Sequence, residues 1–315
     1  FDLVGAHPRT RAEQKEIFYE DLMLRIVTAA CTQEITHHQV VGELIPHELW
    51  RSLSTPPAML QAGQELGKRH FFTDMVRIAD LVNVPAIADS IASQYSEGCF
   101  ATWDSTLQAL IATITGSARP VDKDNLSEDE LAVIVGVRPD GKGALVRHVE
   151  GKRNDPPSSE AVELILMDRD LPRISLGEAW GLPSPVEVPV TRSKLHGHRS
   201  IRAFNPNFVE HVHLAPAYYA YPVSCSTEAQ AQAIHQAFSQ SEALRNPQDP
   251  RQVVFTIMPG HGVVIVEKWV EGKQPFQVIW EFMDQGILQI DPLIPQGSFE
   301  FETIEPNLAV IHPLE

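Results

Sequence analysis

"ELAVIVGVRPDGKGALVRHVEG", Glu130 to Gly151, is the stretch on which the division of this chain turns. Two runs rich in β-branched residues flank Asp140-Gly141, a dipeptide suited to the tight turn of a β-hairpin. Before this stretch, apolar residues recur among charges at helical spacing. After it they come in short solid or alternating runs. The hairpin therefore marks the start of a β-rich region.

Working back from it, residues 117–130, "SARPVDKDNLSEDE", are polar and without periodicity, and read as a linker. Upstream, "RAEQKEIFYEDLMLRIVTAAC" sets Ile17, Leu22, Leu24, Ile26 and Val27 among charges, as a partly buried helix does. "TQEITHHQVVGEL", "HELWRSL", "AMLQAGQELGKRHFFTDMVRIADLVN", "AIADSIASQY" and the run from Trp103 to Ile114 read as further helices, broken at prolines and the "STPP" turn. Together they predict a small helical bundle.

Working forward, "AVELILM", "VEVPV", "QVVFTIM", "GVVIVEKWV", "FQVIWEFM" and "ILQI" read as strands, and "SFEFETI" and "LAVIH" close the series. Prolines are frequent from Pro172 to Pro222, so strands there should be short or marginal. "STEAQAQAIHQAFSQSEALR" is the one clear helix, over 227–244, with Thr227 and Gln230 spaced as a capping box. The expectation is an α+β protein: an all-α helical bundle domain over 1–118, a linker over 119–130, and a mainly antiparallel β-rich domain with one long helix over 131–315. At 315 residues, two domains are the natural division.

Composition narrows the function classes. The formal net charge is -16, from 25 Lys and Arg against 41 Asp and Glu, which disfavours general nucleic-acid binding. After Lys273 there is no Lys or Arg, so the acidic end reads as a solvated face. No apolar run reaches the length of a membrane span. Three widely spaced cysteines, Cys31, Cys99 and Cys225, argue against a disulfide framework and for a reducing cytoplasm. The first residue is Phe, and a removed leader stays open.

The densest chemistry lies in "RSKLHGHRSIRAFNPNFVEHVHLA", Arg192 to Ala215, which holds four of the thirteen histidines. On a strand, Arg192, Lys194, His196 and His198 share one face, and His211 and His213 share another. Asn-Pro in "AFNPN" offers a turn between the two segments. If they pair, His196, His198, His211 and His213 could hold zinc or iron, giving a metal-dependent hydrolase or lyase. The same stretch also concentrates Arg192, Lys194, Arg199 and Arg202, guanidinium and ammonium groups suited to carboxylate or phosphate. The leading expectation is therefore a non-enzymatic binding or assembly protein. It would recognise a small anionic ligand or an acidic protein partner through this basic strip, with the helical half serving homo-oligomerisation or a second contact. The bland alternative is an exposed basic edge strand.

Two cysteines give further readings. Cys225, just before a helix N-terminus, suits a thiol nucleophile with His211 or His261 as base. "QYSEGCFATW" resembles the Gln…Gly-Cys-aromatic-Ala signature of papain-like proteases over these few residues. The resemblance implies Cys99 as nucleophile and Gln94 at the oxyanion position. Its spacing is shorter than that family's, and no His and Asn partner region follows. "ITHHQVVGELIPHE" sets His38 and Glu43 five apart, off one helical face, so it is not an iron site. "RIADLVNVPAIADSIASQY" has a helix-turn-helix outline, but its second helix lacks Arg and Lys. "MPGHG" reads as hairpin turn chemistry rather than a phosphate loop.

Overall fold

A computed structural model of the chain describes residues 35–72, 98–115, 123–197, 201–204, 210–215, 226–258 and 262–290. Its centre is a nine-stranded mixed sheet in the order β1-β5-β4-β3-β2-β8-β12-β11-β10. The strands are β1 (Gln39–Val40), β2 (Cys99–Asp104), β3 (Ala109–Thr113), β4 (Leu131–Val137), β5 (Ala144–Arg147), β8 (Thr191–Gly197), β10 (Val212–Leu214), β11 (Val253–Met258) and β12 (Gly262–Lys268). Only the outermost pairs, β1 with β5 and β10 with β11, are parallel. Two small ribbons stand apart, β6 (Arg173–Leu176) with β7 (Val186–Pro189), and β9 (Ile201–Phe204) with β13 (Leu288–Ile290).

Helices cover both faces of the sheet. On one face lie α1 (His47–Ser52), α2 (Thr55–Lys68) and α6 (Gln277–Asp284), whose Trp50, Met59, Leu66, Val278, Ile279 and Phe282 join Phe100, Ile111, Val133, Leu195, Phe255 and Ile265 in one core. On the other lie α3 (Ala161–Leu166), α4 (Glu228–Ser239) and α5 (Glu242–Arg245), packed on Cys99, Leu110, Ala112, Ile134, Val254, Val264 and Val266. Successive strand residues alternate between the two cores, as the pleat requires. "LAVIVGV" and "VVIV" are solid apolar runs because these strands are buried on both faces.

This layered sheet replaces the expected helical bundle followed by a separate β domain. No bundle is present among the described residues of the N-terminal part. Residues 39–40 form the edge strand β1 instead of a helix, and the run from Trp103 to Ile114 belongs to the hairpin β2–β3. Its turn is built on Asp104, whose Oδ1 accepts the amide of Leu107 at 2.8 Å. Such a local side-chain bond competes with helix. β3 and β4 are hydrogen-bonded neighbours, so the sheet runs across the segment read as a linker. The helical readings within 11–34 and 73–97, and the strands "SFEFETI" and "LAVIH", lie outside the described residues.

Two expected strands are helices. "AVELILM" forms α3, and "FQVIWEFM" forms α6. Short apolar runs carry no decisive period, and here Ala, Leu, Glu and Met favour helix. The Asp140-Gly141 hairpin is present as β4–β5, with Gly141 at φ +72°. The cap of α4 is present too: the Thr227 hydroxyl accepts the Gln230 amide at 3.3 Å. The Gln230 side chain returns to the Ser226 amide, one residue before the cap, at 3.0 Å. The predicted long helix is two helices, parted at Gln240 and Ser241.

Candidate functional site

β8 is the sixth of nine strands, flanked by β2 and β12. That position decides the chemistry of its side chains. Lys194 is 0 % exposed, and its Nζ lies 2.5 Å from Oδ2 of Asp168, just after α3. The Thr191 hydroxyl donates to the other oxygen of Asp168. Arg192 departs from the alternation at a β-bulge between Glu267 and Lys268. Its guanidinium lies 4.8 Å from the ring centre of Trp269 and 6.0 Å from that of Trp180, and donates to the Lys273 carbonyl at 2.6 Å.

The reading of the chain as a non-enzymatic anion- or partner-binding protein with a basic strip is therefore corrected. Binding through the strip needs exposed cations, and β8 is an interior strand, which also removes the alternative of a basic edge strand. Lys194 is committed to Asp168, and Arg192 to indole rings and a carbonyl. Arg199 lies outside the described residues, as does the side chain of Arg202 on β9.

The two His-x-His segments do not form a hairpin. β8 and β10 are three strand steps apart, roughly 14 Å at the usual strand spacing. His196 thus cannot share an ion with His211 or His213. His211 is 41 % exposed beside Glu210, and His213 accepts from Arg251 at 3.1 Å through Nδ1. Burial, and then the Arg251 charge, lower the pKa of His213. Among the described residues, no group of three or more His, Cys, Asp or Glu is placed to hold a metal ion. His198, Cys225 and His261 lie outside the described residues.

What β8 does assemble is a buried cluster around a carboxylate absent from every reading of the sequence. Glu160, at the N-cap of α3, is 5 % exposed. Its Oε1 lies 3.2 Å from Nε2 of His196, and its Oε2 accepts the Cys99 thiol at 3.1 Å. Cys99 and His196 face each other across the β2–β8 ladder. The loop carrying Glu160 is clipped to the end of β3 by the Ser158 amide on the Thr113 carbonyl and the Thr115 amide on the Pro156 carbonyl, at 2.9 and 3.0 Å.

Close packing fixes the strand ends that present the cluster. Gly98, at φ +63°, brings its backbone so near the His196 carbonyl that a Cβ would stand 2.5 Å from it. A Cβ on Gly197 would stand 2.3 Å from the Phe71 ring. Phe71, Phe72 and Phe100 pack in sequence against these glycines on the far face, with centroids 5.2 and 5.8 Å apart.

The hydrogen positions follow from the partners. Nδ1 of His196 lies 3.0 Å from the Val263 carbonyl, which only accepts, so Nδ1 carries a hydrogen. The remaining ring nitrogen, Nε2, faces Oε1 of Glu160. The Cys99 thiol is pushed well above its usual range, first by burial and then by the Glu160 carboxylate. It is a hydrogen-bond donor rather than a thiolate nucleophile, which sets aside the protease-like reading of "GCFA".

Three comparisons place the chain among known proteins. No protein-family model and no curated protein sequence matches it. Among solved structures it is similar to YgbL from Escherichia coli, provisionally described there as an aldolase, epimerase or decarboxylase. The identity is 18% and the TM-score 0.34, over 71% of this chain and 86% of that one. It is similar also to an L-fuculose 1-phosphate aldolase, at 14% identity and TM-score 0.33, over 75% of this chain and 97% of that one. At these scores neither likeness carries a conclusion about chemistry.

Proposed function

We propose that this chain is an enzyme that transfers a proton at Glu160, with His196 sharing that proton and Cys99 fixing the second carboxyl oxygen. One observation supports the reading above others: a carboxyl group 5 % exposed has its two oxygens set against an imidazole and a thiol. Both partners are themselves proton carriers. The ordinary structural solution for a buried carboxylate is a fixed cation, as Lys194 is for Asp168 two residues along the same strand. A carboxyl group set against an imidazole and a thiol has neighbours that can give or take a proton, which is what a general acid or base needs. The substrate class is a small molecule with an acidic C–H or O–H bond.

The test is solvent isotope exchange. Small oxo- and hydroxy-acids are incubated with the protein in deuterium oxide, and loss of the carbon-bound proton signal is followed by NMR. Exchange should fall by about two to four orders of magnitude in Glu160→Gln, the range for a lost general acid or base. An undiminished rate in that variant would remove Glu160 from the chemistry.

A further inference from the structure

A cavity of about 100 Å³ opens at one edge of the sheet, between β5, β1 and the loop ending at Pro157. His38, Arg147 and His148 line it, and its one carboxylate, Asp155, is ion-paired with Arg153. His38 accepts the Ala144 amide through Nδ1 at 3.0 Å, so its neutral ring carries hydrogen on Nε2. Arg147 spends Nε and Nη2 on the Glu43 carbonyl, at 3.3 and 3.2 Å. Among the described residues, neither Nη1 of Arg147 nor the His148 ring has a hydrogen bond. The cavity also has apolar walls in Leu131, Val146 and Val40, and Val40 is 52 % exposed.

We propose that this cavity is a binding site for a short-chain carboxylate. The anchored guanidinium presents its remaining N–H edge to the carboxylate, a charge-assisted contact with little ordering cost. His38 and His148 offer further donors. The alkyl chain covers Leu131, Val40 and Val146, which an inorganic anion would leave bare. The volume sets an upper limit, since benzene occupies a cavity of about 150 Å³ and this one suits a smaller chain. Burial, and then His37, lower the pKa of His38, which supports its role as a neutral donor. The Asp155–Pro157 wall runs on to Ser158 and Glu160, so an occupant rests on the loop that holds the proton-transfer cluster. The proposal does not depend on what Glu160 does.

Titration of the full chain with sodium butyrate, at ionic strength held constant with sodium chloride, tests it. The readout is the ring proton resonances of His38 and His148. Saturable shifts are expected with butyrate and not with butyramide, which has the shape without the charge. Arg147→Gln should weaken binding by about tenfold or more, as loss of a charge-assisted bond does. Arg51→Gln, an exposed cation on α1 outside the cavity, should leave it unchanged. Absence of a saturable shift, an equal response to butyramide, or unaltered affinity in Arg147→Gln would each overturn the proposal. If Arg147→Gln fails to fold, His148→Gln is read in the same way.

Discussion

Glu160 and Glu267 are both buried carboxylates beside β8, on opposite faces of the sheet, and they are held by opposite means. Glu267, 1 % exposed on β12, accepts from the Ser193 hydroxyl at 3.0 Å and from the amides of Phe276, Val278 and Ile279 at 2.9, 3.0 and 3.4 Å. Those amides are the unsatisfied donors at the start of α6, and the carboxylate sits at the positive end of its dipole. Backbone amides do not exchange protons with a carboxylate on the timescale of chemistry. Glu160 rests instead on a thiol and an imidazole, which give and take protons readily. One arrangement pins a helix, and the other sets a carboxyl group against two side chains that can carry a proton themselves. Burial alone therefore does not mark a functional carboxylate. The identity of the donors around it does.

The largest expected separation between the two is kinetic. Glu160→Gln keeps the shape and removes the titrating group. It should cost roughly 3–5 kcal/mol in activation free energy while leaving thermal stability nearly unchanged. Glu267→Ala should do the reverse. It leaves the amides of Val278 and Ile279 and the Ser193 hydroxyl hydrogen without their carboxylate, while the Phe276 amide keeps Ser193 Oγ, and a loss on the order of 3 kcal/mol in unfolding free energy is expected. Paired measurements of isotope exchange and urea denaturation on both variants check this. Similar profiles for the two would erase the distinction.

The pH dependence sharpens it. Burial pushes the Glu267 carboxyl up to about 7, against the pull of Arg192, Ser193 and the amides of Phe276 and Ile279. The folded state thus binds this proton more tightly than the unfolded chain, whose Glu titrates near the ordinary value of about 4.3. The contribution of Glu267 to stability is complete below about pH 4.3 and declines as pH rises through about 7. The destabilisation by Glu267→Ala should accordingly be larger at pH 5 than at pH 8. Denaturant midpoints at the two pH values decide this, and an equal penalty at both would show that Glu267 stays ionised throughout.

Why one carboxylate was found only in the fold follows from the same contrast. Hydrophobic runs reveal that strands exist, and the β4–β5 hairpin and the α4 cap were legible because Asp140-Gly141 and Thr227…Gln230 act within a few residues. Which runs lie beside which is not local. The strip at Arg192–Arg202 reads as a binding surface or a basic edge because its cations are concentrated in an acidic chain. Nothing in those residues shows that Asp168, 26 positions upstream of Lys194, returns to neutralise it. Glu160 stands 61 positions from Cys99 and follows Pro-Pro-Ser-Ser, a stretch that carries no catalytic motif of its own. "AVELILM" is helix rather than the expected strand because seven apolar-rich residues satisfy both equally, and only packing against α4 and β4 decides.

The finest test of the contrast exchanges a side-chain hydroxyl or thiol that donates to each carboxylate. Ser193 donates to Glu267 at 3.0 Å, and Cys99 donates to Glu160 at 3.1 Å. A hydroxyl is the stronger donor, and hydrogen bonds to charged groups contribute about 1.5–3 kcal/mol. Ser193→Ala should therefore cost stability within that range. Cys99→Ser keeps a donor at the same place, so stability and exchange rate should both stay within a few-fold equivalent of the parent, about 1 kcal/mol at most. The Cys99 thiol, raised by burial and by Glu160, should also resist alkylation near neutral pH until the chain unfolds, which peptide mapping after iodoacetamide treatment would detect. Rapid labelling of Cys99 in the folded protein would mean that the cluster opens to solvent, and that Glu160 is then hydrated rather than dry. In that case the difference from Glu267 would be one of access instead of donor chemistry.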